Sequence, residues 1–318
     1  MFINLILKRV LKKFVYFLSK DDMRMVDAMI HARLMERTPS YQEHFHYSYW
    51  ENQIDSWDGM PSPIRPSRGD MEIYQSFLPP ESKEEHILIL GSTPELRDLA
   101  AQRSDAKIYV ADFSYRMPLA MLPFTMFVDP MREKWIKDNW LELSFPENFF
   151  DIILGDLALQ QFPPELESVL LKKTQAILKK EGVFIGRFQF LDKISCSGTI
   201  PDIVEKIINS KLTNRARFVL LTRHIVWLFT DLVKRESNRP ISAKKFDEYV
   251  KKNSINNPIL LKVRDSLMAG QNSYQNYSVP EEKELMTILS QYFIIADRKV
   301  SNDYEKSEIY PIFSLKPK

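Results

Sequence analysis

Cysteine occurs once, as Cys196, and glycine only 8 times in 318 residues. A single thiol excludes an internal disulfide framework and fits a reducing, cytoplasmic setting. No apolar, uncharged run of roughly 18 residues occurs, so no segment reads as membrane-spanning. Histidine is scarce too. His44 and His46 lie close together, but no cysteine or third histidine stands near them, and the pair does not read as a metal site. The shortage of glycine matters most at "HILILGSTPELRDLA", residues 86–100. A dinucleotide-binding turn spends three glycines to bring backbone against a pyrophosphate. Here Gly91 stands alone, followed by Ser92, Thr93, Pro94 and Glu95. That loop is poorly suited to a diphosphate, and a ligand without phosphates fits it better.

What is present describes a globular chain. Hydrophobic residues make up 44% and aromatics 12%, enough for a sizeable core. The net charge of +2 is unevenly spread. Residues 1–20 carry Lys8, Arg9, Lys12, Lys13 and Lys20 with no acid, and residues 201–270 hold fourteen basic against seven acidic side chains, so the remainder is acidic. On a helical projection of 1–20, Ile3, Ile6, Leu7, Val10, Leu11, Phe14, Val15, Phe17 and Leu18 share one arc. Lys8, Arg9, Lys12 and Lys13 share the other. This is a basic amphipathic helix. One reading lays it on anionic lipid as a peripheral contact; the other docks it on its own domain or on a second subunit. The charges interrupt the apolar run, so a secretory signal does not fit. Residues 40–80 are rich in prolines and aromatics, which reads as irregular packing or as an aromatic cover over a neighbouring site.

From residue 86 the pattern becomes regular. "HILIL" reads as a buried strand ended by Gly91, with Thr93 capping the next helix, Pro94 at its first position and Glu95 in its first turn. "KIYVAD", 107–112, is a second strand, followed by a short helical piece in "SYRMPLAML". "EKWIKDNW" holds a third strand near 133–138 and "FFDIILGD" a fourth. "PPELESVLLKKTQAILKK" is a helix, "EG" a turn and "VFIGRFQF" a fifth strand. Near the end, "ILSQYFIIADRKV" and "EIYPIFSLKP" read as two strands forming a hairpin. Alternation of strand and helix predicts an α/β fold with a mostly parallel sheet whose ligands lie past the carboxyl ends of the strands. Between the fifth strand and the hairpin, "IPDIVEKIINS", "RFVLLTRHIVWLFTDLVKR" and "SAKKFDEYVKK" have helical spacing and read as a cap. Its basic face either recruits an anionic substrate or is simply solvated. His224, among Leu221, Ile225, Val226 and Leu228, reads as a core histidine.

The expected organisation is a basic helix at 1–20, an irregular cover at 21–85, a core of 86–199 with 281–318, and a helical cap at 200–280. An apolar strand ending in glycine, an acid closing the second strand, a polar-Trp pair after the third, "FPENFFDIILGD" and "LKKEGVFIGR" together resemble the class I S-adenosylmethionine-dependent methyltransferases. The resemblance implies a Rossmann-like sheet of seven strands, mostly parallel, with a terminal antiparallel hairpin, and S-adenosylmethionine as cofactor. That molecule carries a ribose diol, an adenine, an amino-acid tail and a sulfonium, but no phosphate.

The resemblance also implies site residues. Asp112 would accept the ribose hydroxyls or serve only as a helix N-cap or surface acid, and Phe113 would lie against adenine or pack into the sheet. Asn139, preferred over Asp138, would meet the adenine amino group beside Trp140. Gly91 lets backbone approach the amino-acid tail, and the amides from Ser92 and Thr93 to Glu95 face its carboxylate. Glu95 would take the ammonium group or act only as a macrodipole partner. Asp156 would hold the sulfonium region or accept a proton. The loop "GDLALQQF" lacks the Asn-Pro-Pro-Tyr type signature of enzymes that methylate nucleobase amino groups, and basic and aromatic residues do not interleave as in a nucleic-acid binder. The implied activity is methyl transfer to a small or lipid-like acceptor. A non-catalytic S-adenosylmethionine-binding sensor or partner subunit is the second reading, and a nicotinamide oxidoreductase, short of glycines, the third.

Overall fold

A computed structural model describes residues 57, 59–113, 116–191, 198–237, 239–269 and 279–318. The basic stretch 1–20, His44, His46 and Cys196 lie outside the described residues. Helix α1 (Arg68–Phe77) leads into strand β1 (His86–Leu90), helix α2 (Pro94–Ala101), strand β2 (Lys107–Asp112), the short α3 (Arg116–Met121) and strand β3 (Glu133–Lys137). Strand β4 (Phe150–Asp156), helix α4 (Pro164–Ile177) and strand β5 (Leu178–Arg187) follow. Then come helices α5 (Ile200–Ile208) and α6 (Asn214–Leu228), a ribbon of β6 (Thr230–Asp231) and β7 (Glu236–Ser237), and helices α7 (Arg239–Lys252) and α8 (Pro258–Ala269). Helix α9 (Glu282–Tyr292), β8 (Phe293–Lys299) and β9 (Ile312–Pro317) close the chain.

The main sheet has seven strands in the order β3-β2-β1-β4-β5-β9-β8. The first five run parallel, and β9 is antiparallel to both β5 and β8. Side chains alternate between faces with the strand period of two. Leu88, Leu90, Tyr109, Ala111, Ile153, Phe184, Phe313 and Leu315 join one core with Leu170 and Leu171 of α4 and Leu285 and Leu289 of α9. Ile87, Ile89, Ile108, Val110, Ile152, Leu154, Val183 and Ile185 join the other with Tyr74 of α1 and Leu96 and Leu99 of α2. The near-continuous apolar run in β1 follows, because a parallel strand is buried on both faces. Arg97 of α2 adds a buried polar tie, donating to Glu133 of β3 at 2.9 and 2.5 Å and to the Pro118 carbonyl at 2.7 Å.

Several boundaries differ from the sequence expectation: the helix read through Arg235 ends at Leu228 and gives way to the β6–β7 ribbon, β5 ends at Arg187 and not at Phe190, and β9 begins at Ile312, after a 3-10 turn at Ser307–Ile309 where the strand was expected to start. The helix read through Lys180 ends at Ile177, and β5 begins at once with Leu178 opposite Phe150. Its final carbonyls are claimed by the chain entering β4: Asn148 N donates to Ala176 O at 3.0 Å and Phe149 N to Ile177 O at 2.9 Å. The expected turn at Glu181–Gly182 lies inside a break of register, since Val183 is the next residue of β5 to pair, with Ile152. A Cβ on Gly182 would come within 2.8 Å of Leu178 and 2.9 Å of the Lys179 carbonyl, so only glycine closes that excursion. At the other end, residues 288–292 of the expected strand form the last turns of α9, where Leu289 is buried. Strand β8 begins at Phe293 and is a charged edge, with Asp297, Arg298 and Lys299 exposed or nearly so.

Helices α5 to α8 have their own core, including Ile207, Leu221, Ile225, Phe246, Val263 and Leu267. The last of these helices was not expected from the sequence. The group lies on the carboxyl side of the parallel strands. Arg223 of α6 donates to the Tyr310 hydroxyl in the loop before β9, and Lys206 of α5 pairs with Glu305 at 2.9 Å. Surface ion pairs also take up Arg235, Lys245, Lys251 and Arg264, so part of the local positive charge is neutralised in place.

His224 sits edge-on to Trp227, with ring centroids 6.4 Å apart. Burial holds its pKa down, to about 4, with Arg223, Lys206 and Lys306 adding to the effect and Glu305 opposing it. A histidine depressed in this way stabilises the fold fully above its ordinary value of 6.5, and that contribution is lost as pH falls through about 4. Urea midpoints measured from pH 7 to pH 4 should therefore fall, and should fall less in His224→Gln.

Candidate functional site

In this strand order β1 lies between β2 and β4, so the loops after β1 and β2 leave the sheet beside its central crevice. Register brings their ends level: Leu90 pairs with Ala111, and Asp112 with Lys137. Gly91 turns the chain with φ +93°, and its N–H donates to Ala111 O at 2.8 Å. Ser92 is buried and its hydroxyl donates to Asp112 Oδ2 at 2.7 Å. The acid closing the second strand is thus tied to the loop closing the first.

The third strand contributes the rest. Asp138 N donates to Asp112 O at 3.0 Å, extending the ladder by one residue. The Asp138 side chain turns back on its own loop, accepting from Asn139 N at 2.9 Å and Ser144 N at 3.2 Å. Asn139 accepts from Leu141 N through Oδ1 at 3.1 Å, while its Nδ2 is buried with no partner. Trp140 donates through Nε1 to Ala111 O at 2.9 Å, and its indole lies 3.5 Å from where a Cβ on Gly91 would stand. The structure therefore brings Gly91, Ser92, Asp112, Asn139 and Trp140 into one connected group. Asp138 is occupied with turn formation and Asn139 holds the unspent hydrogen-bonding capacity. Phe113 follows Asp112 and is half-buried.

The opening of α2 departs from expectation at Thr93, whose side chain makes no cap hydrogen bond. Pro94 at the first helical position lacks an N–H, so one of the donors a cap would satisfy is already missing. Glu95 forms an ion pair with Arg65 and accepts from Trp57 Nε1 at 3.4 Å. Arg65 in turn donates to Trp57 O at 3.0 Å. Burial raises the Glu95 pKa against the opposing pull of Arg65, and Oε2 remains buried without a partner. Trp57 and Arg65, which sequence reasoning passed over, thus belong to this end of the sheet.

Asp156 has a different setting from the one expected. Arg187 of β5 donates to both its oxygens, Nε at 2.6 Å and Nη2 at 3.0 Å, so its charge is paired within the sheet. Burial pushes the Asp156 carboxyl upward, against the pull of Arg187. The same guanidinium donates to Asp70 at 2.8 Å, to the Pro63 carbonyl at 2.9 Å and to Tyr304 at 3.5 Å. Tyr74 locks the adjoining backbone, its hydroxyl accepting from Arg187 N at 2.8 Å and donating to Gly155 O at 2.7 Å. Arg187 stands in "LKKEGVFIGR", but a fully buried arginine has no sequence signal of its own.

Buried side-chain polar atoms without partners are rare, and each calls for an explanation. Among the described residues there are five: Glu95 Oε2, Asn139 Nδ2, Gln160 Oε1, Gln189 Nε2 and Arg217 Nε. The first four lie just past the carboxyl ends of β1, β3, β4 and β5. Unspent hydrogen bonds thus collect on the side where this class of sheet takes its ligands. No group of three or more His, Cys, Asp or Glu among the described residues has the arrangement of a metal site.

No family model matches the chain, and no curated protein matches it. Solved structures do. A protein from Rhodobacter sphaeroides described as a Zn-dependent alcohol dehydrogenase aligns over 85% of this chain and 97% of its own, with a TM-score of 0.52 and 14% identity. A protein from Methanosarcina mazei described as a SAM-dependent methyltransferase aligns over 77% and 97%, with a TM-score of 0.45 and 15% identity. The N-methyltransferase NodS from Bradyrhizobium japonicum, solved with S-adenosyl-L-homocysteine, aligns over 85% and 97%, with a TM-score of 0.45 and 9% identity. Identities this low speak to the fold alone. The seven-stranded order, with five parallel strands and an antiparallel β9 placed between β5 and β8, is the Rossmann-like, mostly parallel sheet with a terminal antiparallel hairpin expected from the sequence.

Two substitutions probe the frame of the site. Arg187→Met would leave Asp70 and Asp156 buried without their counter-charge and should cost about 3–5 kcal/mol in urea unfolding. Gly91→Ala should cost about 1–3 kcal/mol, because its backbone lies where L side chains are strained. The added Cβ meets Trp140 only at ordinary contact distance, 3.5 Å. The same cost should therefore appear in a Trp140→Leu background, which a double-mutant cycle would measure.

Proposed function

We propose that this protein, with its Rossmann-like sheet, binds S-adenosylmethionine at the carboxyl ends of β1 to β3 and transfers its methyl group to a small-molecule acceptor. The observation that carries this reading is the connected group of Gly91, Ser92, Asp112, Asn139 and Trp140, with a buried amide donor at Asn139 left to complete. The residues suit the cofactor in chemistry. A carboxylate at the end of β2, steadied by the Ser92 hydroxyl, accepts a ribose diol. With Asn139 Oδ1 taken by Leu141 N, the spare Nδ2 donates to a ring nitrogen of adenine and not to the amino group that the resemblance implied, and the Trp140 indole supplies a flat apolar wall. The unpartnered Glu95 oxygen takes the ammonium of the amino-acid tail. Gly91 offers no side chain to obstruct that tail, and a single glycine suffices because there is no diphosphate to cradle.

When bound, S-adenosylmethionine supplies a methyl already activated by a cationic sulfur. The chain then has to hold the acceptor in line and keep water out, tasks that need no strong acid or base. Asp156, spent on Arg187, serves as part of the frame. The same observation favours a second reading, in which the fold binds the cofactor without turnover, and release of S-adenosylhomocysteine with a supplied acceptor separates the two.

S-adenosylhomocysteine should raise the melting temperature of the full chain, while NAD and NADP at equal concentration should not, since a ligand stabilises only through its affinity for the folded state. Asp112→Ala should weaken S-adenosylhomocysteine binding by roughly 1.5–3 kcal/mol for each hydrogen bond lost, as read by calorimetry. Stabilisation by NAD, or unchanged affinity in a folded Asp112→Ala, would overturn the assignment.

A further inference from the structure

The loops after β4 and β5 carry two of the unpartnered groups, and their needs are complementary. Gln160 is 2% exposed and Gln189 6%. Gln160 Nε2 lies 3.5 Å from Gln189 O, which places the two residues side by side at the limit of a hydrogen bond. That leaves Gln160 Oε1 as a buried acceptor and Gln189 Nε2 as a buried donor, neither with a partner.

The backbone holds both residues in place. Phe188 N and Phe190 N donate to Pro311 O at 3.0 Å and Ile309 O at 2.9 Å, so the segment carrying Gln189 is stitched to the chain before β9. Gln160 sits on a single 3-10 turn, Leu159–Gln161. The chain reaches that turn through Leu157 at φ 51°, a left-handed conformation that a leucine adopts only at a cost. Leu157 N donates to Arg187 O at 2.9 Å, pinning the turn to the end of β5. The neighbouring Leu159, Phe162, Phe188 and Phe190 are buried members of one apolar cluster, against which Trp140 packs. The nearest charges along these two strands, Asp156 and Arg187, are already spent on each other.

Arg298, whose guanidinium lies 5.1 Å from the centre of the Phe190 ring, is likewise paired, with Glu282, so among these described residues a charged ligand would find no spare counter-ion, and a purely apolar one would leave two buried polar atoms unmet. We infer that Gln160 and Gln189 bind an uncharged planar group presenting an N–H donor beside a carbonyl or ring-nitrogen acceptor, as a carboxamide, lactam or pyrimidine-type ring does. In taking this group to be part of the methyl acceptor, the inference rests on the proposed methyl-transfer reading. It narrows the small or lipid-like acceptor expected from the sequence, and sets aside the anionic substrate that one reading of the cap's basic face offered.

Saturation-transfer NMR and calorimetry on the full chain test this with uracil and nicotinamide as uncharged probes and nicotinate as a charged counterpart, each with and without S-adenosylhomocysteine. The uncharged probes should bind at least about tenfold tighter than nicotinate, and Gln160→Leu and Gln189→Leu should each weaken them by about tenfold while leaving S-adenosylhomocysteine affinity unchanged. Gln189→Glu, which keeps the size and removes the donor, should do the same. If the leucine variants do not fold, the wild-type comparison of nicotinamide with nicotinate decides alone. Equal binding of that pair, full retention of binding in folded variants, or no binding of either uncharged probe up to millimolar concentration would overturn the inference. Glutamine-dependent probe binding without any S-adenosylhomocysteine binding would sustain the glutamine pair and sink the cofactor reading. S-adenosylhomocysteine binding without probe binding would do the reverse.

Discussion

The five N–H groups of one buried guanidinium, Arg187, find acceptors on four separate parts of the chain: the Pro63 carbonyl, Asp70 of α1, Asp156 of β4 and Tyr304 in the loop before β9. Two carboxylates against one cation leave this cluster with a formal excess of negative charge. Ser301 Oγ and the N–H of Ser67 offset it by donating to Asp70 at 2.6 and 2.9 Å. Taking these charges out of water is expensive, and only nearly complete hydrogen bonding makes it tolerable. The result is a fixed joint between the sheet and the segments that cross its carboxyl side. Beyond it, Arg223 stacks between Trp227 and Tyr310, at 4.5 and 5.3 Å, and carries the connection to the helical layer.

That joint makes the contrast with the neighbouring loops informative. Around Arg187 the polar groups are satisfied in detail, yet a short way along the strand ends Glu95, Asn139, Gln160 and Gln189 each keep an unmet atom. A chain that completes a network as demanding as Asp70–Arg187–Asp156 has the means to complete simpler ones. Leaving four atoms open on one side of a rigid sheet is consistent with partners that come from outside the chain. Mobile groups would find local partners, whereas groups held by register and strained turns do not. The left-handed Leu157 belongs to the same logic, since it places Gln160 where an unstrained turn would not.

Much of the sheet was legible in the sequence. β1 and β2 run over the residues expected, because "HILIL" and "KIYVAD" are short apolar runs bounded by breakers and buried on both faces. Gly91 and Asp112 were legible as strand ends, and the Asn139–Trp140 pair as the exit of the third strand. Where α4 stops was not legible. Residues 178–180 continue its pattern, and only competition from Asn148 and Phe149 for its last carbonyls ends it. The start of β8 was hidden in the same way, since the apolar residues of 288–292 serve equally for a helix end or a strand.

The sequence by itself determined the alternation of strands and helices, the lone glycine closing β1, and an acid and an amide at the ends of β2 and β3. Each of these depends on residues adjacent in the chain, where periodicity, turn chemistry and side-chain type act directly. Only the tertiary structure decided what the polar groups do. Asp156 reads in sequence as a site carboxylate and is in fact the counter-ion of Arg187, 31 residues away. Asp138 and Asn139 are neighbours of similar chemistry, yet one is consumed by its own turn and the other retains a free amide. Gln160 and Gln189 are unremarked in sequence and stand out only once buried. Whether a polar atom is spent or available depends on which distant atoms the fold brings within 3 Å or so, and no local pattern encodes that.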